Sequence, residues 1–351
     1  MTPTNQSYHD KANAQNIIKL REFLKDFPQF ITEYFRTLSD QTSSLTRLGY
    51  AYDLKIFFGY LSEEVFDGTS MADISVTEMA KIDSEHIEGF MEYLSYYIPV
   101  GEPDSFQQNA ALGKSRKLAA VRGLFRHLYM KKKIPANPSE LVSFPKINEK
   151  AITTLEADEI AKLLDEVDSG ENLTPRQKQF HERTKIRDAA IITMLLGTGM
   201  RVSECVGLDI GDIDFETNGL RVIRKGGDEM ILYFGNEVES ALKAYILERA
   251  KISAKEGHEN ALFLSLQNRR ITDRAIQNLV KKYASLITRL KNISPHKLRS
   301  TFGTQLYAET GDIYLVANVL GHSDVNTTRK HYAKMDDTYR RKAANAVRLR
   351  D

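Results

Sequence analysis

A proline-containing break between residues 134 and 150 constrains the fold of this chain more than any other feature. The segment Ile134–Pro138 carries two prolines, and Phe144–Lys150 adds a third among polar and charged residues. Because proline cannot continue a helix and restricts the residue before it, both segments favour extended chain. The chain has 351 residues, which is long for a single hydrophobic core. The break therefore predicts two domains, at residues 16–147 and 152–351.

The region before the break has the apolar spacing of α-helices. One run consists of Leu45, Leu48, Tyr52, Ile56 and Tyr60, which lie three or four positions apart and so share one helical face. The predicted helices are Ile17–Phe35 with a break near Pro28, Ser44–Leu61, Asp83–Tyr97 and Lys114–Met130. This pattern predicts an all-helical first domain.

The region after the break begins with helices and then changes to strands. The predicted helices are Glu156–Asp168 and Ile186–Leu196. The predicted strands are Asp212–Phe215, Leu220–Arg224 and Met230–Phe234, and the glycine-rich turn at 225–228 favours a hairpin between the last two. After Gly235 the pattern is helical to the end of the chain. The predicted fold class is mainly α, with a small three-stranded antiparallel sheet in the second domain.

The positive charge of the chain is concentrated in one predicted helix. The net charge is only +2, but residues 114–133 include eight Lys or Arg and no Asp or Glu. We expect Lys117, Arg122 and Arg126 to lie on the surface of that helix, away from its apolar face. A local field of this sign can attract polyanions even when the total charge nearly cancels.

Cysteine content and hydropathy bear on the environment of the protein. Cys205 is the single cysteine, so neither an intrachain disulfide nor a zinc site of several cysteines can form, which suits a reducing cytoplasm. Residues 1–15 are polar and lack the apolar core of a signal peptide. The longest apolar run, Ala189–Leu196, is too short to span a bilayer. We expect a cytoplasmic protein that does not associate with membranes.

Two motifs in the second domain place a cation at a turn. Arg201 follows a glycine-rich turn at a predicted helix start and can present a planar fork to a phosphate. Glu204 lies one helical turn further on and could hold that arginine. Lys225 lies in the predicted hairpin turn. Taken alone, the Arg201–Glu204 pair is also compatible with a surface ion pair, and the lysine with a solvated side chain.

Two further motifs place histidines beside a second arginine and a tyrosine. Ser294 and Pro295 predict a helix start, after which His296 and Arg299 share one face. Because these two side chains repel when both are charged, an anion between them would be stabilising, although a structural cap with a surface arginine fits the same pattern. The segment 320–328 contains His322 and precedes Tyr332. The chain has sixteen tyrosines, so it is the position of Tyr332 relative to His322 that selects it.

Together these side chains suit phosphodiester exchange. Two arginines can bind the non-bridging oxygens of a phosphate, and histidine and lysine can donate protons near neutral pH. A tyrosine hydroxyl, with a reference pKa of about 10, becomes nucleophilic when neighbouring cations favour the phenolate. A covalent phosphotyrosine conserves the bond energy. We therefore predict no metal and no cofactor.

The order of these motifs resembles the tyrosine recombinase and integrase family. The order is TGMRVSE, a hairpin lysine, HKLR, LGH with TT, and then a tyrosine. The resemblance spans residues 150 to 340 and implies the fold of the DNA breaking-rejoining enzymes, and the first half looks like the core-binding domain of that family. The pattern LREFLKDFPQFITEYF followed by SSLTRLGYAYDLKIFFGYL looks like the single-protein Xer recombinases of Firmicutes.

The resemblance implies a role for each matching residue. The implied catalytic set is Arg201, Lys225, His296, Arg299, His322 and Tyr332, with Glu204 in support. The arginines would hold the scissile phosphate, and the histidines would hydrogen-bond it or assist proton transfer. Lys225 would protonate the departing 5′ oxygen, and Tyr332 would form a 3′-phosphotyrosine.

The resemblance also implies partners. Both domains would grip double-stranded DNA with paired inverted binding arms as a C-shaped clamp, and four protomers would assemble on two sites. The segment with Ala343, Ala344 and Val347 would dock on a neighbouring protomer, and a DNA translocase or accessory factor is a further candidate partner. The residues expected to contact DNA phosphates are Lys114, Arg116, Lys117 and Arg122, with a solvated basic face as the alternative.

One departure from the family pattern concerns spacing. Ten positions separate His322 from Tyr332, where many Xer-type members have nine and some integrases have ten; Tyr339 is the second candidate nucleophile. The function that the resemblance implies is site-specific recombination, for chromosome dimer resolution or for integration and excision of a mobile element. The alternatives are relaxation of DNA like that of a type IB topoisomerase and a catalytically silent, sequence-specific DNA-binding protein.

Overall fold

The computed structural model describes residues 7–98, 106–147, 153–224, 227–288 and 290–321, together with residue 325. The chain divides into two compact units, Met1–Glu149 and Lys150–Asp351. No helix in the described part of the chain combines the length and the apolar character that crossing a bilayer requires.

Helices dominate the first unit. They are α1 Tyr8–Phe23, α2 Gln29–Thr37, α3 Ser44–Tyr60, α4 Val76–Met79, α5 Ser84–Tyr93 and α6 Ala111–Met130. Helix α1 begins nine residues before the predicted Ile17, because the Ser7 side chain accepts a hydrogen bond from the backbone N–H of Asp10 and caps it. The predicted break near Pro28 separates α1 from α2.

Helix α5 ends four residues earlier than expected. Asp83 caps it, but the helix stops at Tyr93 rather than at the predicted Tyr97. The reason is a competing interaction, since the backbone of Tyr97 forms an antiparallel bridge with Gln107.

The core of the first unit lies between α3 and α6. Leu54, Phe57 and Phe58 of α3 are fully buried. The predicted apolar face of α6 is buried as well, through Leu118, Val121, Leu124, Phe125 and Leu128. Burial of each such side chain contributes about 1.5–3 kcal/mol, and this packing fixes which side of α6 turns outward.

The second unit combines seven helices in its described residues with a small sheet. The helices are α7 Ala157–Ser169, α8 Pro175–Thr198, α9 Val202–Gly207, α10 Asn236–Arg249, α11 Asp273–Ile287, α12 Pro295–Thr310 and α13 Ile313–Leu320. The strands are β1 Ile213–Asp214, β2 Gly219–Ile223 and β3 Glu229–Tyr233, paired antiparallel in the order β1-β2-β3. The predicted fold class, mainly α with a three-stranded antiparallel sheet, is confirmed.

Helix α8 is twice as long as its predicted apolar segment. Thr174 and Gln177 form a capping box at its start, and Pro175 occupies the first helical position. The polar first half extends the helix beyond the buried Ile191–Leu196.

The expectation of continuous helix after Gly235 is wrong for residues 250–272. That segment consists of turns and two isolated bridges, Asp209↔Ala261 and Leu264↔Arg270. The buried guanidinium of Arg249 donates hydrogen bonds to the backbone oxygens of Ala261 and Glu259. These bonds replace the helical ladder and let Ala261–Leu264 be buried as extended chain.

Candidate active site

A left-handed glycine shapes the turn that presents Arg201. Gly199, whose φ is 62°, is the C-cap of helix α8. A Cβ at this position would lie 2.3 Å from Cδ1 of Phe302 and 3.0 Å from Cδ2 of Leu320. Glycine therefore satisfies both the conformation and the close approach of α12 and α13. The turn places Arg201 at the N-cap of α9.

Glu204 holds Arg201 through both carboxylate oxygens. Oε2 accepts the backbone N–H of Arg201 at 2.7 Å, and Oε1 accepts Nη1 of the guanidinium at 2.8 Å. The carboxylate is buried, whereas the Arg201 side chain is 34% exposed. A buried carboxylate with two charge-assisted bonds fixes the orientation of the guanidinium and leaves its outer edge accessible.

Arg299 approaches the same region from helix α12. Its side chain is buried, and its Nη1 donates to the backbone oxygen of Gly199 at 2.6 Å. Its Nη2 donates to the backbone oxygen of Leu320. His296 lies one turn earlier on α12 and is exposed, so the helix presents a buried guanidinium and an accessible imidazole.

The end of α13 brings the two arginines together. Arg299 binds the carbonyl of Leu320, and Nη2 of Arg201 donates to the carbonyl of Gly321 at 3.0 Å. The last carbonyls of a helix lack partners within the helix and carry its negative partial charge, so they attract cations. Two guanidiniums that are 98 positions apart in sequence thus bind adjacent backbone oxygens.

A third arginine in this region, Arg224, was not among the predicted site residues. Nη2 of Arg224 donates to the carbonyl of Val319 at 2.8 Å, and Nη1 lies 3.5 Å from that of Asn318. Burial lowers the pKa of Arg224; the carboxylate of Glu204 acts against this shift and the positive charge of Arg201 adds to it. In the sequence, the signal for Arg224 is its position directly before Lys225 at the end of a predicted strand.

Three members of the predicted catalytic set fall outside the described residues. They are Lys225, His322 and Tyr332, and the second candidate Tyr339 and the tail residues Ala343, Ala344 and Val347 also lie outside them. The described chain reaches Arg224 and Gly321, which directly precede Lys225 and His322.

The cations of α6 make contacts within the first unit. Nζ of Lys114 donates to the Met91 carbonyl at 2.8 Å and to Oγ of Ser95 at 2.6 Å. Nε of Arg122 donates to the Ser139 carbonyl at 3.0 Å, and the guanidinium also stacks 4.3 Å from the Phe144 ring centroid. These contacts hold both side chains in place.

The expectation that Lys117 lies on the surface of α6 is wrong. Its side chain is only 6% exposed, because it turns toward the buried Asp53, whereas Arg116 is 54% exposed. Nη1 of Arg116 is 2.8 Å from a carboxylate oxygen of Asp53. Burial raises the pKa of Asp53, although both cations act in the opposite direction. Lys117 is thus a structural counter-charge, while Arg116 reaches solvent.

Comparisons with known proteins show similarity to phage integrases and tyrosine recombinases. Residues 153–338 match the model of the phage integrase family. The tyrosine recombinase XerC of Caldanaerobacter subterraneus subsp. tengcongensis is 31% identical over 342 residues, which cover 93% of this chain and 89% of that protein.

Solved structures share the fold. The XerH site-specific recombinase bound to palindromic difH substrate in a post-cleavage complex aligns with a TM-score of 0.62 at 24% identity, covering 86% of this chain and 80% of that chain. The Tn1549 transposon integrase in complex with transposon right end DNA aligns with a TM-score of 0.62 at 19% identity. The alignment covers 90% of this chain and 98% of that chain.

Proposed function

This chain belongs to the phage integrase family, the tyrosine site-specific recombinases, and we propose that it cleaves and rejoins DNA through a 3′-phosphotyrosine on Tyr332. The observation that carries the proposal is the meeting of Arg201 and Arg299 at the end of α13, directly before His322. A pair of oriented guanidiniums suits a phosphodiester whose charge increases in the transition state.

The reaction exchanges one phosphate ester for another. The Tyr332 oxygen forms a bond to phosphorus as the bond from phosphorus to the 5′ oxygen breaks, and Lys225 gives the leaving oxygen its proton. Arg201 and Arg299 hold the non-bridging oxygens, and His296 and His322 donate hydrogen bonds or move the phenol proton. Because the new ester retains the bond energy, the reverse attack by a 5′ hydroxyl restores the DNA.

Arg201 can bind its protein partners and a DNA phosphate at the same time. A guanidinium has five N–H groups, so Arg201 can keep its bonds to Glu204 and Gly321 and still donate to a phosphate oxygen. The backbone contacts orient the guanidiniums before DNA binds, and such preorganisation lowers the reorganisation that the reaction requires.

The two domains take different parts in this proposal. Residues 16–147 form the core DNA-binding domain and residues 152–351 the catalytic domain. Of the predicted phosphate contacts on α6, Lys114, Arg116 and Arg122 remain candidates, with Arg116 the most exposed of the ion-paired cations there. The substrate is double-stranded DNA with paired inverted arms, bound by a homotetramer on two sites, and the tail at 343–347 docks between protomers.

Chromosome dimer resolution is the biological role that we favour. The similarity to a XerC protein extends over 93% of the chain, and a DNA translocase or accessory factor would then be a partner. The spacing of ten between His322 and Tyr332 favours the second candidate, integration or excision of a mobile element. Recovering the bound site from fragments of the source genome distinguishes the two, since a chromosomal site outside any mobile element fits the first and an element end fits the second.

Trapping the covalent intermediate tests the chemistry. The DNA site recovered by binding is nicked close to the cleavage position, so that the released strand diffuses away and the adduct accumulates. We expect an adduct with the wild type and with Tyr339→Phe, and none with Tyr332→Phe. An adduct that survives in Tyr332→Phe contradicts the proposed nucleophile. Binding with no adduct in the wild type favours a silent DNA-binding protein, and relaxation without recombinants favours topoisomerase activity.

A further inference from the structure

Arginine donors occupy the whole C-terminal end of helix α13. Four successive backbone oxygens, from Asn318 to Gly321, accept hydrogen bonds from guanidiniums. The donors come from three separate parts of the second unit, the N-cap of α9, the helix α12 and the end of β2. Arg201 and Arg299 are accounted for by phosphate binding, whereas Arg224 is not.

Arg224 is packed against the backbone at the helix end. Gly321 has a φ of 62°, and a Cβ at this position would lie 1.7 Å from Nη1 of Arg224 and 2.2 Å from its Cζ. The guanidinium therefore occupies the space that any side chain at residue 321 would require. Such close approach is specific, because a solvated arginine would lie clear of the backbone.

The burial of Arg224 at this position costs free energy, which other contacts must offset. Nε of Arg224 is buried and has no hydrogen-bond partner in the part of the chain that the structure describes. A buried donor without a partner is destabilising, and the Arg201 guanidinium adds like-charge repulsion. The carbonyls of Asn318 and Val319, at the negative end of the helix, offset these costs.

We propose that Arg224 is a positioning residue that ties the turn after β2, and with it Lys225, to the end of α13. The proposal rests on the proposed function, in which Lys225 protonates the 5′ oxygen. Adjacent Cα atoms are about 3.8 Å apart, so an anchored Arg224 side chain restrains the backbone from which Lys225 extends. A lysine has a flexible four-carbon stem, and proton donation requires hydrogen-bond distance. The anchor limits the positions from which Lys225 can reach the leaving oxygen.

The test separates proton donation from all other contributions. Single-turnover cleavage is measured on the normal DNA site and on a site whose 5′ bridging oxygen is replaced by sulfur. A thiol has a pKa of about 8.5, so a thiolate departs without a proton donor, whereas an alkoxide does not. Lys225→Ala serves as the reference for the loss of the donor itself. The variants are Arg224→Gln and Arg224→Lys, and the matched control is Arg221→Gln.

Arg221 lies on the same strand and carries the same charge. It pairs with Asp212 at the surface, with 58% of its side chain exposed, and within the described residues it forms no hydrogen bond or ion pair with α13. Its substitution removes one positive charge from β2 without disturbing the anchor. We expect Arg221→Gln to cleave both substrates within about twofold of the wild type.

The expected result is a selective loss. Arg224→Gln cleaves the oxygen substrate about 10-fold to 100-fold more slowly than the wild type and the sulfur substrate within about threefold. Arg224→Lys keeps the charge but can bind the carbonyls only through a single nitrogen. Its rate of cleavage of the oxygen substrate should lie between those of the wild type and Arg224→Gln. If Arg224→Gln does not fold, as judged by its thermal unfolding, Arg224→Lys is compared in its place.

Four results are distinguishable. Equal slowing of Arg224→Gln on both substrates overturns the positioning role, and so does wild-type cleavage of the oxygen substrate. Failure of the sulfur substrate to restore cleavage by Lys225→Ala instead overturns the proton donor assigned under the proposed function. If the sulfur substrate restores cleavage by both Arg224→Gln and Lys225→Ala, the result supports the positioning role of Arg224.

Discussion

Substitution of Gly199 by alanine tests whether the crowded turn before Arg201 fixes the site. Its φ of 62° belongs to the left-handed region, where an L side chain costs about 1–2 kcal/mol. The new Cβ would also lie 2.3 Å from Phe302, and overpacking of this kind costs about 1–3 kcal/mol. The two contributions predict a loss of about 2–5 kcal/mol in the free energy of unfolding.

Gly257 offers a matched control for the strain alone. Its φ is 80°, and nothing lies within 4 Å of the Cβ that alanine would add. Gly257→Ala should therefore lose about 1–2 kcal/mol, while Gly199→Ala loses more. Both losses in the free energy of unfolding are measured by urea denaturation. The comparison requires that the dependence of this free energy on urea concentration is unchanged in the variants.

The catalytic effect of Gly199→Ala follows from the same geometry. The Gly199 carbonyl accepts Nη1 of Arg299, so displacement of the turn moves that guanidinium. We expect single-turnover cleavage to fall by about 100-fold, with little change for Gly257→Ala. Equal stability and equal cleavage in the two variants would refute the argument that close packing at residue 199 orients Arg299.

Three further substitutions extend the account. Glu204→Gln weakens the charge-assisted bonds to Arg201, which contribute about 1.5–3 kcal/mol each. The rate of cleavage should therefore fall by about 10-fold to 150-fold, while the midpoint of urea unfolding changes less. Unchanged cleavage would show that Glu204 does not orient Arg201. Asp188→Ala removes the buried carboxylate that faces Arg187, Lys282 and Tyr283 and should cost about 3–5 kcal/mol in urea unfolding, whereas Asp158→Ala at the surface should leave the midpoint of urea unfolding nearly unchanged. The hydrogen bond from Lys291 lowers the pKa of Glu159 below 4.5, so this carboxylate stabilises the fold above pH 4.5 and the contribution is lost as the pH falls through the lowered pKa. The stability difference between wild type and Glu159→Gln should be about 1 kcal/mol at pH 7 and should vanish in acid; a difference that grows in acid has the wrong sign for this linkage.

Local patterns predicted the helices and the sheet because they depend on neighbours in sequence. The apolar face of α6 and the three strands follow from side-chain periodicity. The extent of α8 was underestimated because its first half is polar, and capping by Thr174 rather than burial starts it. The non-helical segment 250–272 depends on Arg249 binding carbonyls ten or more positions away, which no local pattern reveals.

Contacts between distant elements explain why the positions of individual charged side chains were not predicted. The burial of Lys117 depends on Asp53, which lies on another helix 64 positions earlier. The role of Arg224 depends on carbonyls 94 and 95 positions later. Motif order indicated Arg201 and Arg299 because each lies in a short segment that occurs in the order typical of the family, although residue type alone could not show which atoms they bind.

In the proposed reaction, Arg201 and Arg299 act by neutralising one scissile phosphate. The direct measurement compares wild type and Arg201→Ala on a normal site and on a site whose scissile phosphate carries a methyl group in place of one non-bridging oxygen, which removes its charge. We predict that Arg201→Ala forms the covalent adduct at least about 100-fold more slowly on the normal site, and within a few-fold of the wild type on the uncharged one. An equal loss on both sites would contradict the claim, since the arginine would then be needed even where no charge remains to be neutralised.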